Sequence, residues 1–169
     1  LGLFSDIRGK TVVDGYSGTG TLALLLSGTA RKVIAIETES EAVADGIRTA
    51  EENGIKNIDF ICGNVEEKLP ELVKQGEKID GILFDPPRKG IEREALLMLG
   101  REKIPEIVYI SCDPATFARD AGVLFSVGYR TDRVFPFDMF PNTAHVECVA
   151  RFYKTDEKEQ KLNTGVEAS

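Results

Sequence analysis

The chain has 169 residues, of which 42% are hydrophobic and 29% charged, a length that suits one domain with at most a tail. It contains no run of about 18 apolar residues and no basic and apolar leader, so neither a transmembrane helix nor a signal peptide is expected. A net charge of −7, from 21 Lys and Arg against 28 Asp and Glu, argues against nonspecific binding to nucleic acid.

Apolar, β-rich runs alternate with helical stretches along the chain, a pattern that predicts an α/β fold with a mostly parallel sheet. The strands are predicted at 11–14, 32–37, 57–62, 79–85, 107–112, 129–137 and 145–153. The helices are predicted at 21–27, 41–53, 65–75, 92–101 and 114–126. Thr38 or Ser40 is expected to cap the second helix, and Pro70 is expected to interrupt the third. Residues 154–169 are charged and are predicted to form a disordered tail.

The first predicted strand leads into a glycine loop and a helix, an arrangement typical of nucleotide-binding units. The segment 18–23, G-T-G-T-L-A, fits the dinucleotide fingerprint G-x-G-x-x-[GA]. Glu37 ends the next strand, where its carboxylate can accept hydrogen bonds from a ribose. A tight strand-to-helix turn without a ligand remains the alternative for the glycines alone.

The position of the acid favours one cofactor over another. In NAD sites the strand runs almost directly into the first glycine, whereas here Asp14 ends the strand four positions before Gly18. The loop 14–20 resembles the S-adenosylmethionine loop of class I methyltransferases, so Asp14, Tyr16, Gly18 and Gly20 are candidate cofactor contacts. An acid suits the cationic groups of this cofactor and would repel a pyrophosphate. Asn64 follows the third strand, where such enzymes contact the adenine, although a surface-turn asparagine fits that position equally well.

The fourth predicted strand is followed by Asp85 and the sequence P-P-R-K-G. Ligands of parallel sheets bind at the carboxyl ends of the strands, and two prolines could hold the Asp85 carboxylate toward that crevice. Amino-methylating enzymes carry a related Asp/Asn-Pro-Pro-aromatic motif, but Arg88 occupies the aromatic position here. A proline-rich turn after a buried strand is the alternative.

The fifth predicted strand ends at Cys112, directly before a helix. A helix N-terminus favours the thiolate form of a cysteine, which is the nucleophilic form. Cys62 and Cys148 fall within strands and are interpreted as buried filler. With three cysteines, no C-x-x-C pair and one histidine, His145, we expect a cytoplasmic protein without disulfides or a metal site. His145 is assigned no role. Glu147 is a candidate site residue only if the loop folds it back over the crevice.

Together these segments resemble the catalytic domain of the uracil-5 RNA methyltransferases, which form 5-methyluridine in transfer or ribosomal RNA. The resemblance covers 12–152 and rests on the segments 14–20, 85–90, 109–120 (YISCDPATFARD) and 138–147 (DMFPNTAHVE). It implies a Rossmann-like class I methyltransferase fold over 1–153, with a mostly parallel seven-stranded sheet and an antiparallel last strand. It also implies S-adenosylmethionine as the cofactor and an RNA substrate.

The resemblance assigns roles to four residues. Cys112 would add to carbon 6 of uracil, and Glu147 would remove the proton from carbon 5 after methyl transfer. Asp85 would hydrogen-bond the uracil ring and also line the cofactor site, with Arg88 beside it on the substrate side. The target base must leave its stack to reach the cysteine, which costs on the order of a few kcal/mol.

Some positions depart from the family pattern. Ser17 replaces a usual cysteine and Gly15 a common leucine, and neither carries chemistry. Asp113 replaces the usual asparagine after the nucleophile, and its carboxylate is expected to oppose formation of a thiolate at Cys112. The family's upstream Phe-Gln segment and β-barrel RNA-binding domain do not occur in this sequence, and the chain does not begin with Met. We therefore expect an incomplete, monomeric enzyme whose RNA is bound mainly by regions outside this chain, without membrane contact.

Three other functions remain open at this point. One is a noncatalytic module that binds S-adenosylmethionine or a nucleotide. The second is a methyltransferase for another base or a small molecule, which would not depend on Cys112. The third is NAD-dependent redox chemistry.

Overall fold

The computed structural model describes residues 4–137 and 147–155. Over these ranges the strands are β1 (Thr11–Gly15), β2 (Lys32–Glu37), β3 (Ile58–Cys62), β4 (Gly81–Phe84), β5 (Glu106–Ser111), β6 (Tyr129–Arg130), β7 (Val134–Phe137) and β8 (Glu147–Lys154). The helices are α1 (Thr21–Ser27), α2 (Ser40–Glu52), α3 (Val65–Lys74), α4 (Arg93–Arg101) and α5 (Pro114–Ser126).

All eight strands belong to one sheet, in the order β3-β2-β1-β4-β5-β8-β6, with β7 also paired to β8. Strands β1 to β5 are parallel, and β8 runs antiparallel to β5, β6 and β7. The strand order reverses between β1 and β4, and at such a switch point the loops diverge to leave a crevice at the carboxyl ends of the strands. The predicted α/β class with a mostly parallel sheet and an antiparallel last strand is confirmed.

The sheet has eight strands instead of the predicted seven because the segment 129–137 is divided. Residues 131–133 leave the sheet between β6 and β7, and the Thr131 hydroxyl donates to the Arg133 carbonyl at 3.1 Å across this turn. Both short strands still pair with β8, at opposite ends of it. The bend falls in the polar stretch R-T-D-R at 130–133, between the apolar residues of the two strands.

The core forms on both faces of the sheet because alternate strand residues point to opposite sides. One face packs against α3, α4 and α5 through residues that include Val13, Ile34, Ile82, Phe84, Ile107 and Tyr109. The other face packs against α1 and the N-terminal residues Phe4 and Ile7 through Val12, Val33, Ala35, Leu83 and Val108. Burying each large aliphatic side chain contributes roughly 1.5–3 kcal/mol, which fixes the strand ends that carry the site.

Two local predictions need correction. Helix α3 continues through Pro70, because its buried residues Val65 and Leu69 keep it packed on the sheet. Neither Thr38 nor Ser40 caps α2, since the N-cap position is held by Glu39 without a side-chain bond.

The end of β8 is held to the rest of the fold by polar contacts. Lys154 ends β8, and its Nζ donates to the carbonyls of Gly100 and Val127 at 3.0 and 2.5 Å. The Thr155 hydroxyl donates to the Gly128 carbonyl at 3.0 Å. Both residues thus belong to the domain, and the remainder of the predicted tail, 156–169, lies outside the described residues.

Candidate active site at the carboxyl edge of the sheet

The predicted site residues converge on one edge of the sheet. The glycine loop, Asp85 and Cys112 follow β1, β4 and β5, which are parallel. Because β8 is antiparallel, its first residue, Glu147, lies at this same edge. The last pair between β1 and β4 is Gly15 with Phe84. Asp14 comes one residue before Gly15 and Asp85 one residue after Phe84, so both lie next to this pair.

The strand register brings the candidate nucleophile and the candidate base to the same end of one strand pair. Ser111 of β5 pairs with Cys148 of β8 as the last pair of this ladder. Cys112 follows Ser111 and Glu147 precedes Cys148, so each lies one residue beyond this last pair. Both residues are half-buried, which leaves them accessible from the crevice.

The charge of Glu147 acts on the carboxyl group of Asp85. The residue is exposed overall, yet the protein around its carboxyl group and the charge of Glu147 raise the pKa of Asp85. Both effects favour the protonated form of this carboxyl group more than in a solvent-exposed aspartate. The neighbouring Arg88 is exposed.

Asp113, which the sequence analysis expected to oppose a thiolate, has a structural role. Its Oδ1 accepts from the Thr116 backbone amide at 2.9 Å, which makes Asp113 the N-cap of α5. Hydrogen bonds from the backbone of Thr116 and the charge of Arg88 lower the pKa of Asp113. The carboxylate therefore stabilises the helix that begins just after Cys112.

The glycine loop adopts backbone conformations that side chains disfavour. Gly18 and Gly20 have φ of 55° and 79°, in the left-handed region. At Gly20 a Cβ would lie 2.7 Å from the ring of Phe60, so only glycine allows this close approach. Tyr16 also has a positive φ of 64°, and its hydroxyl donates to Glu66 Oε1 at 2.5 Å. The Tyr16 hydroxyl thus fastens the loop to α3.

Asp14 is the most unusual group of the site. It is 1% exposed, and neither carboxylate oxygen has a hydrogen-bond partner within residues 4–137 and 147–155. Burial raises the pKa of Asp14 to about 7; the amide of Ala23 counteracts the rise, and the charges of Asp85 and Glu37 add to it. A buried carboxyl without a partner costs free energy, which makes it a strong candidate for contact with a cation.

Glu37 forms a hydrogen bond with the backbone of the glycine loop. Its Oε2 accepts from the Gly18 amide at 2.8 Å, and its Oε1 accepts from the amides of Thr38 and Glu39 at 2.7 and 3.0 Å. The Thr38 hydroxyl also donates to Oε1, at 2.9 Å. Burial alone would raise the pKa of Glu37, but these hydrogen bonds outweigh it and lower the pKa. The predicted ribose acceptor therefore also holds the glycine loop in position.

Asn64 is the N-cap of α3, and its Oδ1 accepts from the Glu66 amide at 2.8 Å. This capping bond is the kind of structural role that the surface-turn interpretation predicts, and it involves the side-chain oxygen of Asn64. Its position directly after β3 keeps it at the carboxyl edge, as predicted.

A buried network around Asp120 escaped the sequence analysis. Asp120, 1% exposed, accepts from the Tyr109 hydroxyl at 2.7 Å and from the Ile91 amide at 2.9 Å. It also pairs with the Arg119 guanidinium at 2.7 Å. The sequence did contain a signal: Asp120 falls on the buried face of α5 with Phe117, Ala121 and Leu124, at spacings of three and four residues.

The other two cysteines differ in burial. Cys148 is buried as predicted, but Cys62 is exposed, which corrects its interpretation as buried filler. It lies at the last position of β3, and β3 is an edge strand. His145 and the segment 138–146 lie outside the described residues.

Among the described residues, no helix combines the length and the apolar character needed to cross a membrane.

The chain is similar to known RNA methyltransferases. An RNA methyltransferase of uncharacterized function from Fusobacterium nucleatum is 48% identical over 149 residues, covering 88% of this chain and 32% of the relative. A second such protein, from Clostridium tetani, is also 48% identical and covers 86% and 32%. The chain thus spans about one third of the length of these relatives.

A solved structure extends the comparison. It is that of a Pyrococcus abyssi tRNA (uracil-54, C5)-methyltransferase in complex with S-adenosyl-L-homocysteine, 34% identical with a TM-score of 0.74. The match covers 86% of this chain and 35% of that one. An rRNA methylase from Streptococcus thermophilus, 19% identical with a TM-score of 0.65, shares the fold.

The family model described as tRNA (uracil-5-)-methyltransferase matches residues 5–155, nearly the whole described structure. Together with the relatives at 48% identity, this match establishes that the chain belongs to the tRNA (uracil-5-)-methyltransferase family.

Proposed function

We propose that this chain is the catalytic domain of an enzyme that transfers a methyl group from S-adenosylmethionine to carbon 5 of a uridine in RNA. The observation that carries the proposal is the β5–β8 register, whose last pair, Ser111 and Cys148, is adjacent in sequence to both Cys112 and Glu147, while the charge of Glu147 acts on Asp85. A nucleophile, a base and an acid at one crevice next to a glycine loop meet the demands of this reaction.

The glycine loop fits the proposed cofactor. Asp14 offers a buried, unpartnered carboxylate, which suits a cationic ligand, and the backbone at Gly18 and Gly20 permits a close approach. Asp14, Tyr16, Gly18, Gly20, Glu37, Asn64 and Asp85 are the proposed cofactor contacts. When bound, S-adenosylmethionine supplies an electrophilic methyl group on a positively charged sulfur.

Carbon 5 of uracil needs activation before it can accept a methyl group. The Cys112 thiolate adds to carbon 6, forming a carbon–sulfur bond and moving the electrons of the carbon 5–carbon 6 double bond into an enolate. Carbon 5 then forms a bond to the methyl carbon as the methyl–sulfur bond breaks, and that sulfur keeps the electron pair. The enolate is consumed in this step, which leaves a methylated adduct on Cys112.

The adduct is resolved by Glu147. Its carboxylate takes the proton from carbon 5, the double bond re-forms, and the Cys112 thiolate leaves with the electrons of the carbon–sulfur bond. General-base catalysis of this kind contributes typically about 10²–10⁴-fold. Asp85 is proposed to hydrogen-bond the uracil ring, and burial together with the charge of Glu147 raises the pKa of its carboxyl group.

The substrate is RNA, either tRNA or rRNA, and Arg88 lies on its proposed side of the crevice. With a net charge of −7, this chain supplies little of the electrostatic attraction that RNA binding requires. The affinity therefore comes mainly from the rest of the protein, since relatives are about three times longer. The proposal includes a monomer that works in the cytoplasm.

The test uses RNA that contains 5-fluorouridine. A fluorine at carbon 5 cannot be removed as a proton, so after methyl transfer the adduct with Cys112 persists and is seen as a shifted band in a denaturing gel. The wild type and Cys62→Ala, which changes an exposed cysteine on the edge strand β3, four strands from β5, are expected to form the adduct. Cys112→Ala is expected to form none.

Each alternative predicts a different result. An adduct that persists in Cys112→Ala would contradict the proposed mechanism. Methyl transfer to RNA or a small molecule without need for Cys112 would indicate a different methyltransferase. Calorimetric binding of S-adenosylhomocysteine without adduct or turnover would indicate a noncatalytic module.

A further inference from the structure

The loop that follows β4 is fastened to α5 by three hydrogen bonds. The Thr116 hydroxyl donates to the Arg88 carbonyl at 3.0 Å, and the Arg119 Nη2 donates to the Lys89 carbonyl at 2.8 Å. Two residues further along the loop, the Ile91 amide donates to Asp120 at 2.9 Å. We call Thr116, Arg119, Asp120 and the supporting Tyr109 the α5 clamp.

The centre of the α5 clamp is a buried carboxylate with a full set of donors. Asp120 Oδ2 accepts from Tyr109 and Ile91, and Oδ1 accepts from Arg119 Nε at 2.8 Å. A buried charge is costly and is a weak source of stability compared with apolar packing of the same volume. What such a network does provide is a defined geometry, because each bond fixes a distance and a direction.

Gly90 brings the loop directly against the helix. Its φ is 75°, and a Cβ added there would collide with the side chains of Thr116, Arg119 and Asp120. The backbone of the loop therefore lies flush on α5, with no room for even a methyl group.

These contacts join two parts of the candidate site. The loop begins at Asp85 and carries Arg88, whereas α5 begins two residues after Cys112. We propose that the α5 clamp is a positioning device that sets the Asp85–Arg88 segment against Cys112, and hence sets the uracil ring at attack distance from the sulfur. This inference rests on the proposed function. Thr116, Arg119, Asp120 and Tyr109 are positioning residues, and they act through the loop without touching the substrate.

The experiment changes one side chain of the clamp at a time. Thr116→Val removes the donor to the Arg88 carbonyl, and Thr116→Ser keeps the hydroxyl. Arg119→Gln shortens the side chain that donates to the Lys89 carbonyl and removes its ion pair with Asp120. The matched control is Thr49→Val, because the Thr49 hydroxyl donates only to the Asp45 carbonyl, within α2. Each variant is assayed for the rate of adduct formation with 5-fluorouridine RNA at saturating RNA, for affinity toward S-adenosylhomocysteine, and for trypsin cleavage after Arg88 and Lys89 under native conditions.

A small displacement of reacting groups can cost about 10²-fold in rate, so a loss of about ten-fold or more is expected for Thr116→Val and Arg119→Gln. Their affinity for S-adenosylhomocysteine is expected to fall by a smaller factor than the adduct rate, because Asp85 is one of seven proposed cofactor contacts and the clamp does not touch the glycine loop. Cleavage after Arg88 and Lys89 is expected to accelerate in both variants. Thr116→Ser is expected to restore the rate, and Thr49→Val to match the wild type.

The outcomes separate the two proposals. Unchanged cleavage in Thr116→Val and Arg119→Gln would overturn the clamp, whatever the enzyme does. Faster cleavage with an unchanged adduct rate would overturn its role in positioning, as would equal losses of rate in Thr49→Val. A wild type that forms no adduct, with cleavage still dependent on Thr116, would overturn the proposed function and leave the clamp as a contact of the fold.

Discussion

Two aspartates at the carboxyl edge are buried to the same extent, each 1% exposed, but their surroundings differ completely. Asp14, between the glycine loop and β4, has no hydrogen-bond partner among the described residues. Asp120, beneath the loop after β4, accepts from Tyr109, Ile91 and Arg119. One region leaves a polar group unsatisfied and the other satisfies it fully.

The difference separates two ways of preparing a site. Around Asp120 the protein supplies every partner, so the geometry is fixed before any substrate arrives. Around Asp14 a partner is lacking, so a ligand that brings a cation gains the free energy of satisfying it. The following four predictions test this contrast in order of decreasing effect.

Asp120→Ala should cause the largest loss of stability. It leaves the Tyr109 hydroxyl, the Ile91 amide and the Arg119 guanidinium without their acceptor, and removing one partner of a buried ion pair costs about 3–5 kcal/mol. Urea denaturation of the variant would measure this loss. Asp45→Ala is the matched control, because Asp45 pairs with Arg48 on the exposed surface of α2 and should change stability by about 0.5 kcal/mol or less. Equal losses in both variants would contradict the importance of the buried network.

Gly90→Ala should destabilise the protein by about 3 kcal/mol, through both a strained backbone and overpacking against α5. Gly18→Ala imposes a similar backbone strain, since φ is 55°, but a Cβ there meets no atom within 4 Å. Its loss should be about 1 kcal/mol. Thermal or urea unfolding of the two variants side by side measures the difference, and the contrast fails if Gly18→Ala is the more damaging.

Asp14→Asn should change the dependence of stability on pH. The folded pKa is raised from 3.8 to about 7, so the folded state holds a proton that the unfolded state releases, and wild-type stability falls as pH rises from about 4 to 7. Relative to the wild type, the variant should gain about 2 kcal/mol in unfolding free energy between pH 5 and pH 8.

The measurement is urea denaturation of both proteins at the two pH values. Parallel pH profiles would show that Asp14 is ionised with a partner in the folded state. The affinity of the wild type for S-adenosylhomocysteine, whose amino group is a cation, should rise with pH through about 7, and this rise should disappear in Asp14→Asn.

Glu37→Gln should have the smallest effect, a loss of about 1 kcal/mol at pH 7, because charge-assisted bonds to the Gly18 and Glu39 amides become neutral ones. The folded pKa is lowered, so the carboxylate contributes stability above its ordinary value of 4.5 and loses it as the pH falls through the lower folded value. Titrating the stability of Glu37→Gln and of the control Glu39→Gln from pH 7 to pH 3 tests this. A difference that persists unchanged at pH 3 would point to a steric cause.

Much of the site's location could be predicted from strand endings alone. Asp14, Asp85 and Cys112 each follow an apolar run in a parallel pattern, and the carboxyl ends of such strands meet at one edge. The position of Glu147 could not be predicted from strand endings alone, because it depends on β8 running antiparallel beside β5. That pairing joins residues far apart in the chain, and local patterns do not encode it.

The α5 clamp could not be predicted with the same means. Tyr109 fits a buried strand position and Arg119 a solvated helix face, so neither indicates a contact with the loop. Only Asp120, an acid on an apolar helix face, deviates from the pattern. The partners that satisfy it come from two other elements, and their arrangement follows from packing in three dimensions.

The position of β8 has a consequence for biosynthesis. This strand is the last described element of the chain, yet it lies between β5 and the pair β6 and β7 and bonds to all three. A nascent chain that has emerged from the ribosome only as far as α5 already contains Cys112 but has no strand beside β5 to bring Glu147 to the same end of a strand pair. The thiol and its proposed base therefore meet only after the residues up to Lys154 have emerged, so the active centre is assembled as the final step of completing the sheet.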